Sequence, residues 1–345
     1  MHRREFLRAG GAAAFAALLG SPPARAQQPL RFADIHAHLY IAQGDSMRAF
    51  MEKNGMLLVA EKLIPDTTFI RWSVPRQTMA AWRDAKPGEV RRSFDFQVAR
   101  AMKRISEQGL ALVNSVESLD RVLRERVPAI ALSSEGGDFL EGELGYLKQI
   151  RAQGLVHLQL LHYRLAELGD ISTEEPKYNG LSDFGKDVVR ECNRLGILVD
   201  CAHGTSAGID QMLEISTKPV IYSHGYVSAG VPVPGRSAIA SRPIHAPLAK
   251  KLADKGGVVG LWPPWNSYAN LDLYCDELMR MVTVFGASHV GIGTDMDGIG
   301  RSVLPSYAEF AELPRYLSKR GLDDAGVEAV LGGNYLRVLR QALSV

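Results

Sequence analysis

The chain has 345 residues, of which 46% are hydrophobic and 23% charged, with a formal net charge of +2. That balance is ordinary for a globular protein with a sizeable core and excludes a disordered chain; the length exceeds the usual single domain, but a closed α/β barrel routinely reaches it as one. Cys192, Cys201 and Cys275 are too few and too scattered for a disulfide framework or a thiolate zinc site, and read as core thiols.

Residues 1–26 have the parts of an export signal. Arg3-Arg4-Glu5-Phe6-Leu7 precedes a mild apolar run from Ala9 to Gly20, followed by Ala24-Arg25-Ala26, an A-x-A site. The paired arginines resemble the twin-arginine type, and the run is too short to span a bilayer permanently; the alternative is an uncleaved amphipathic anchor. The leader holds Arg3, Arg4, Arg8 and Arg25 against Glu5, so cleavage near Ala26 takes the net charge from +2 to −1. A chain that close to neutral has no basic footprint for nucleic acid. The expectation is a periplasmic protein with one domain over residues 27–345. The ending Gln341-Ala342-Leu343-Ser344-Val345 is no lipid-anchor signal, so no stable membrane anchor is expected; a homodimer is left open.

In chain order, Leu30-Arg31-Phe32-Ala33 opens the first strand, which leads into Asp34-Ile35-His36-Ala37-His38. Residues two apart on a strand project the same way, so two imidazoles converge at its C-terminal end. From Tyr40 to about Asp95, with Pro65, Trp72, Pro75, Trp82 and Pro87, there is no tidy period; the stretch reads as a long insertion after the first strand, over the substrate side of a barrel as a lid or specificity loop. Apolar runs then predict strands at Leu110–Val113, Ala129–Leu132, Val156–Leu161, Gly196–Val199, Val220–Tyr222, Val258–Leu261 and Val290–Ile292. Helices are predicted between most of them, including Gly142–Ala152, Phe184–Arg194, Ala246–Asp254 and Tyr274–Phe285, and a helical, polar-faced tail from Pro314 reads as a closing cap. Eight strands alternating with helices predict an α/β fold of TIM type, a (β/α)8 barrel.

The polar residues at the strand ends carry the functional signal. Glu135 follows the third predicted strand and precedes Gly136-Gly137; His162, His203, His224 and Asp295 each end a later one, with Asp297 two residues on. One such residue is usually just a satisfied strand terminus. Imidazoles and carboxylates from at least five strands, however, would meet in one mouth, where this fold builds its active sites, and would be costly there without a cation. Four histidines, a bridging glutamate and an aspartate suit two divalent ions of zinc type, roughly 3.5 to 4 Å apart, which acidify a shared water for hydrolysis. Asp295 is the candidate to take that water's proton and pass it to the leaving group, its alternative being a purely structural ligand.

These residues resemble the membrane dipeptidase (renal dipeptidase) family of the amidohydrolase superfamily, from about Asp34 to Leu339. The carriers are Ser134-Glu135-Gly136-Gly137, Gly180-Leu181-Ser182-Asp183-Phe184-Gly185, the run from Asn193 to His203, Ser223-His224 and Gly291-Ile292-Gly293-Thr294-Asp295-Met296-Asp297-Gly298. The resemblance implies a dizinc site with His36, His38, Glu135, His203 and His224 as ligands and Glu135 as bridge. It makes Asp295 the acid/base group, His162 the group that steadies the tetrahedral intermediate, and Arg242, in Ala240-Ser241-Arg242-Pro243, the partner of the substrate carboxylate. The chain departs from the family pattern in having His36-x-His38 where His-x-Asp is usual, and in Pro243 where asparagine commonly follows the arginine. The loop from His224 to Arg242 is also longer, and Arg236 competes for the same role.

The reading is a zinc-dependent dipeptidase acting on a small carboxylate-bearing amide. The alternative keeps the dinuclear centre but gives it N-acyl amino acids, lactones or other esters, on the strength of His38 and the altered arginine loop. A non-catalytic periplasmic binding protein is the third reading, and intact Glu135 and Asp295 count against it.

Overall fold

In the computed structural model, which describes residues 31–39, 46–229 and 242–345, eight parallel strands follow one another around a barrel. They are β1 (Phe32–Ala37), β2 (Met56–Leu63), β3 (Ala129–Glu135), β4 (Leu155–Gln159), β5 (Leu198–Asp200), β6 (Val220–Gly225), β7 (Val258–Leu261) and β8 (Val290–Ile292), each bonded to the next. The ring closes at the C-terminal rim: the His38 amide donates to the Met296 carbonyl at 2.9 Å, and the Asp295 amide to the His36 carbonyl at 2.8 Å. The TIM-type fold expected from the sequence is the fold observed. The leader and the loop holding Arg236 lie outside the described residues.

Two of the strand assignments change. Leu110–Val113 is not a barrel strand: only Ala111–Leu112 pairs, against Ala129 and Ile130 on the edge of β3, below the point where β4 begins to pair at Leu132. The second barrel strand is β2, inside the stretch read as irregular. Its residues are all buried, so Met56-Leu57-Leu58-Val59-Ala60 shows the unbroken apolar run of a strand covered on both faces rather than an alternation. Helix Met47–Asn54 precedes it, capped by the Ser46 side chain at its start and by Gly55 in the left-handed region at its end. What remains of the expected insertion is an antiparallel hairpin after β2, Ile70–Ser73 with Thr78–Ala81. An Arg76–Glu174 ion pair ties it to the loop after β4, so both lie over the C-terminal mouth.

The predicted helices are present at Leu144–Ala152, Asp183–Leu195, Ala246–Asp254 and Leu271–Phe285. Apolar residues from the N-terminal halves of seven strands, among them Ala33, Leu58, Ala131, Val156, Leu198, Ile221 and Val258, form one cluster with Tyr335, Val338 and Leu339 of the terminal helix Asn334–Leu343. That helix packs on β1, β4, β5, β7 and β8. It closes the barrel's lower end as expected, but through a buried apolar face rather than a polar one. The lower half is thus sealed, and the polar strand ends are left at the top.

Candidate metal centre

β1 carries a register irregularity between Asp34 and Ala37, a stretch that takes in His36, and the His36 and His38 Nε2 atoms lie 3.3 Å apart. Each ring is held from behind: His38 Nδ1 lies 2.9 Å from the Lys62 carbonyl of β2, and His36 Nδ1 lies 3.0 Å from Ser223 Oγ of β6. The same Ser223 Oγ is 3.0 Å from Nδ1 of His224. His203, just past β5, has φ of +66° and Asp295, just past β8, +51°; this left-handed backbone, uncommon outside glycine, turns the chain sharply at both strand ends. His203 and His224 place their Nε2 atoms 3.3 Å apart. Close approach also needs Gly293, where a Cβ would fall 2.2 Å from the Ser223 carbonyl and 3.1 Å from the Cβ atoms of both His36 and His224. Without that side chain the His36 and His224 rings come to 3.7 Å between centroids.

Glu135 stands between the two pairs. Its Oε2 is 3.5 Å from His36 Nε2 and 3.2 Å from His38 Nε2; its Oε1 is 3.2 Å from His203 Nε2 and 3.5 Å from His224 Nε2. Two groups of donors result, His36/His38/Glu135 and Glu135/His203/His224, each with its ligand atoms within 4.8 Å of one another. All five residues are buried.

The electrostatics fit cations. Burial drives the His36, His203 and His224 imidazoles toward the neutral form, His203 to a pKa of about 3 with the charge of Arg242 acting the same way. Burial also disfavours charged His38, but the hydrogen bonds it donates to Asp295 and Glu135 outweigh it and raise its pKa to about 10. Burial pushes the Glu135 carboxyl up, while His162 and His36 outweigh it and hold it well below the usual range. Three imidazoles kept neutral by burial, an ionised carboxylate, and a fourth imidazole, His38, whose proton a bound cation would displace, are the donor set that zinc-type ions take.

Around this centre stand the other candidates. Asp295 Oδ1 is 3.1 Å from His38 Nε2, and its Oδ2 accepts from Trp262 Nε1 at 3.0 Å. His162, in the loop three residues beyond the shortened β4, presents Nε2 at 3.5 Å from Glu135 Oε2 and Nδ1 at 2.7 Å from Asp66 Oδ1. Arg242 is buried at 4% exposure beside the second pair; Nη2 lies against His224 Nε2, Nη1 is 3.3 Å from the Tyr163 hydroxyl, and the guanidinium sits 4.2 Å over the Trp262 ring. The structure therefore brings together His36, His38, Glu135, His162, His203, His224, Arg242 and Asp295, the whole set singled out in the sequence apart from Arg236 and Asp297. Asp297 is exposed on the rim, and the three cysteines are buried free thiols.

Sequence reasoning missed the residues that hold these side chains. Asp34 accepts from the His36 and Thr294 amides, both at 3.1 Å, and from the Tyr307 hydroxyl at 3.0 Å; it clamps β1 to β8 and so His36 to the strand that ends at Asp295. Asp66, Lys62, Asp200 and Trp262 went without a role as well. Asp34 and Asp200 stand inside the motifs that flagged the ligands, two and three residues ahead of a histidine, which is the one signal that could have found them.

The chain matches the model of the membrane dipeptidase family (Peptidase family M19) over residues 81–345. The dipeptidase tcpJ of Claviceps purpurea (strain 20.1) is 27% identical over 261 residues, covering 72% of this chain and 60% of that protein. Dipeptidase 3 of Mus musculus is 29% identical over 250 residues, covering 68% and 48%. The chain thus spans about half to three-fifths of the length of these curated relatives. A metallo peptidase from Rhodobacter sphaeroides, solved with a phosphinate mimic of the dipeptide L-Ala-D-Ala, shares the fold, with a TM-score of 0.76 at 16% identity over 91% of this chain and 99% of that one. The family match takes in every candidate ligand except the pair on β1, which the closure of β1 onto β8 carries into the same centre, and on that match the chain belongs to the membrane dipeptidase family.

Proposed function

We propose that this chain hydrolyses dipeptides with a pair of zinc ions, one held by His36 and His38, the other by His203 and His224, with Glu135 shared between them. The observation that carries the reading is Glu135 itself, one oxygen turned to each histidine pair at 3.2 to 3.5 Å. Bound there, such ions acidify a water and polarise the amide carbonyl.

The chain's own residues do the rest. Asp295, fixed by the Trp262 indole and facing His38, takes the attacking water's proton and returns it to the leaving amine. His162, with Nδ1 held by Asp66 and Nε2 toward Glu135, donates to the carbonyl oxygen as it gains negative charge. Arg242 is a buried guanidinium with no carboxylate in ion-pair range among the described residues. A buried unpaired cation is costly, and a free substrate carboxylate on its planar fork would relieve that cost. The dipeptidase names of the relatives and the dipeptide mimic in the similar structure support the same substrate class.

Metal content per chain, measured beside turnover of a dipeptide panel that includes D-residues, tests the reading. Two zinc ions with dipeptide turnover is the expected result. Two ions without it would favour the second reading, esters, lactones or N-acyl amino acids, which His38 in the place of the family's usual carboxylate supports. No retained ion would overturn both. We further propose that residues 1–26 direct export to the periplasm; a reporter fused to them and left in the cytoplasm would reject that.

A further inference from the structure

Beneath the centre lies a set of buried charges that the proposed reaction does not use. Lys62 and Asp200 are fully buried, with Nζ 2.9 Å from Asp200 Oδ2, and that same oxygen is 3.1 Å from His157 Nε2. The other oxygen, Oδ1, accepts from the Ala202 and Ser223 amides, each at 3.1 Å. These are the residues directly before His203 and His224. Lys62 reaches the other half of the centre, since its carbonyl faces His38 Nδ1 at 2.9 Å. Ser223, anchored by its amide to Asp200, sets Oγ 3.0 Å from Nδ1 of both His36 and His224, one ring from each histidine pair.

We infer that Asp200, Lys62 and Ser223 form one positioning frame shared by both halves of the centre, so that filling one half orients the ligands of the other. The inference rests on the two-ion reading above. A serine hydroxyl can accept from two Nδ1–H groups at once, which leaves the Nε2 lone pairs of both rings directed at the centre. A cation on His36 then fixes the Ser223 hydroxyl, and the fixed hydroxyl presents His224 already oriented. The second ion meets ligands whose ordering cost has been met by the first. Retaining a lysine and a carboxylate in a sealed core costs desolvation that an apolar pair would avoid; a task at the centre gives a reason for it.

Ser223→Ala removes only the hydroxyl and keeps the amide bonded to Asp200. The double variant Lys62→Met/Asp200→Asn removes the buried pair without leaving either charge alone. Both are compared with the unaltered protein by zinc titration against a competing chelator and by the absorption of cobalt-substituted protein, with circular dichroism to confirm folding. Repulsion between two cations is the same in the unaltered protein and in Ser223→Ala, so the comparison isolates the frame. The expected result for Ser223→Ala is a second-ion affinity at least about tenfold weaker relative to the first. For the double variant it is weakening of both ions by about 10- to 100-fold with an altered cobalt spectrum. Should the double variant not fold, Ser223→Ala alone decides. Unchanged stepwise affinities in folded Ser223→Ala overturn the shared frame while leaving the two-ion reading intact; an unaltered protein that binds no ion overturns that reading instead.

Discussion

His162 Nδ1 and Asp66 Oδ1 stand 2.7 Å apart, joining the loop after β4 to the loop after β2 across 96 residues of chain. Asp66 is fully buried and His162 nearly so. Burial alone would lower the imidazole's pKa, but Asp66 and Glu135 outweigh it and raise it. The carboxylate thereby fixes the ring's orientation and favours the imidazolium, in which Nδ1–H donates to Asp66 and Nε2–H is left aimed at the Glu135 side, where a carbonyl oxygen would gain charge.

Replacing Asp66 by Asn keeps the volume and loses the charge that orients the ring. A donor misaimed at a developing oxyanion costs rate rather than ground-state binding. For Asp66→Asn, kcat on a dipeptide is expected to fall by about 10- to 100-fold with KM within about threefold. Affinity for a phosphinate dipeptide mimic should fall by a similar factor. Steady-state kinetics and inhibition constants check this; a change confined to KM would place Asp66 in substrate binding instead.

Arg242 has the Tyr163 hydroxyl and the Trp262 face around it but no carboxylate within ion-pair range among the described residues. If the substrate's terminal carboxylate fills that place, Arg242→Ala should lower kcat/KM by about a hundredfold, the worth of a buried charged pair. Arg242→Lys should recover little, because an ammonium cannot reproduce the planar fork. The control is the C-terminal amide of the same dipeptide. It should be a poor substrate for the unaltered protein and lose almost nothing further in the variant.

Asp295 is separated from the two donor groups by chemistry as well as place. Each group keeps two histidines and an oxygen of Glu135 without it, whereas Glu135, the other carboxylate beside His38, has an oxygen turned to each histidine pair, which leaves Asp295 to move the proton. Asp295→Asn is therefore expected to keep near-normal zinc content while kcat drops by about 10²- to 10⁴-fold. Loss of an ion in parallel with the rate would make Asp295 chiefly a ligand. An unchanged affinity for a non-hydrolysable mimic alongside the lost rate would separate an enzyme from a binding protein.

The barrel was legible in the sequence from β3 onward because there every apolar run except β7 leads to a histidine or acid, and helices follow most of them. β2 was hidden. It is buried on both faces and so lacks alternation, and the helix before it buries only Met47, Met51 and Asn54, too little to show a period. Leu110–Val113 has the same local composition as a barrel strand; only pairing in three dimensions shows that β3's edge above it belongs to β4. The ligands could be read because their types are unusual at strand ends. Lys62, Asp66 and Asp200 could not, because a buried charge is written with the same letters as a solvated one, and what distinguishes it is a partner 95 to 138 residues away, such as His157, His162 or Lys62 itself.

His157 offers a pH test of that buried layer. It is fully buried, 3.1 Å from Asp200 Oδ2 and 3.2 Å from the Tyr335 hydroxyl. Burial, reinforced by the charge of Lys62, lowers its pKa to about 3 despite the Asp200 contact. In the unfolded chain a histidine titrates near 6.5. Below about pH 6.5 the unfolded state therefore takes up a proton that the native state refuses, so the stability contributed by the neutral ring is complete above that pH and is lost as the pH falls toward 3. His157→Gln removes the titration. Denaturant unfolding of chelated protein should show the variant less stable at pH 7, and the gap should close as the pH is lowered from 6.5 to 5, at a rate approaching tenfold in the folding constant per pH unit. The ligand histidines are common to both proteins and cancel in the difference. A gap that stayed constant would mean that the ring is already charged beside Asp200, and the layer beneath the centre would then be a three-charge cluster rather than an ion pair with a neutral imidazole.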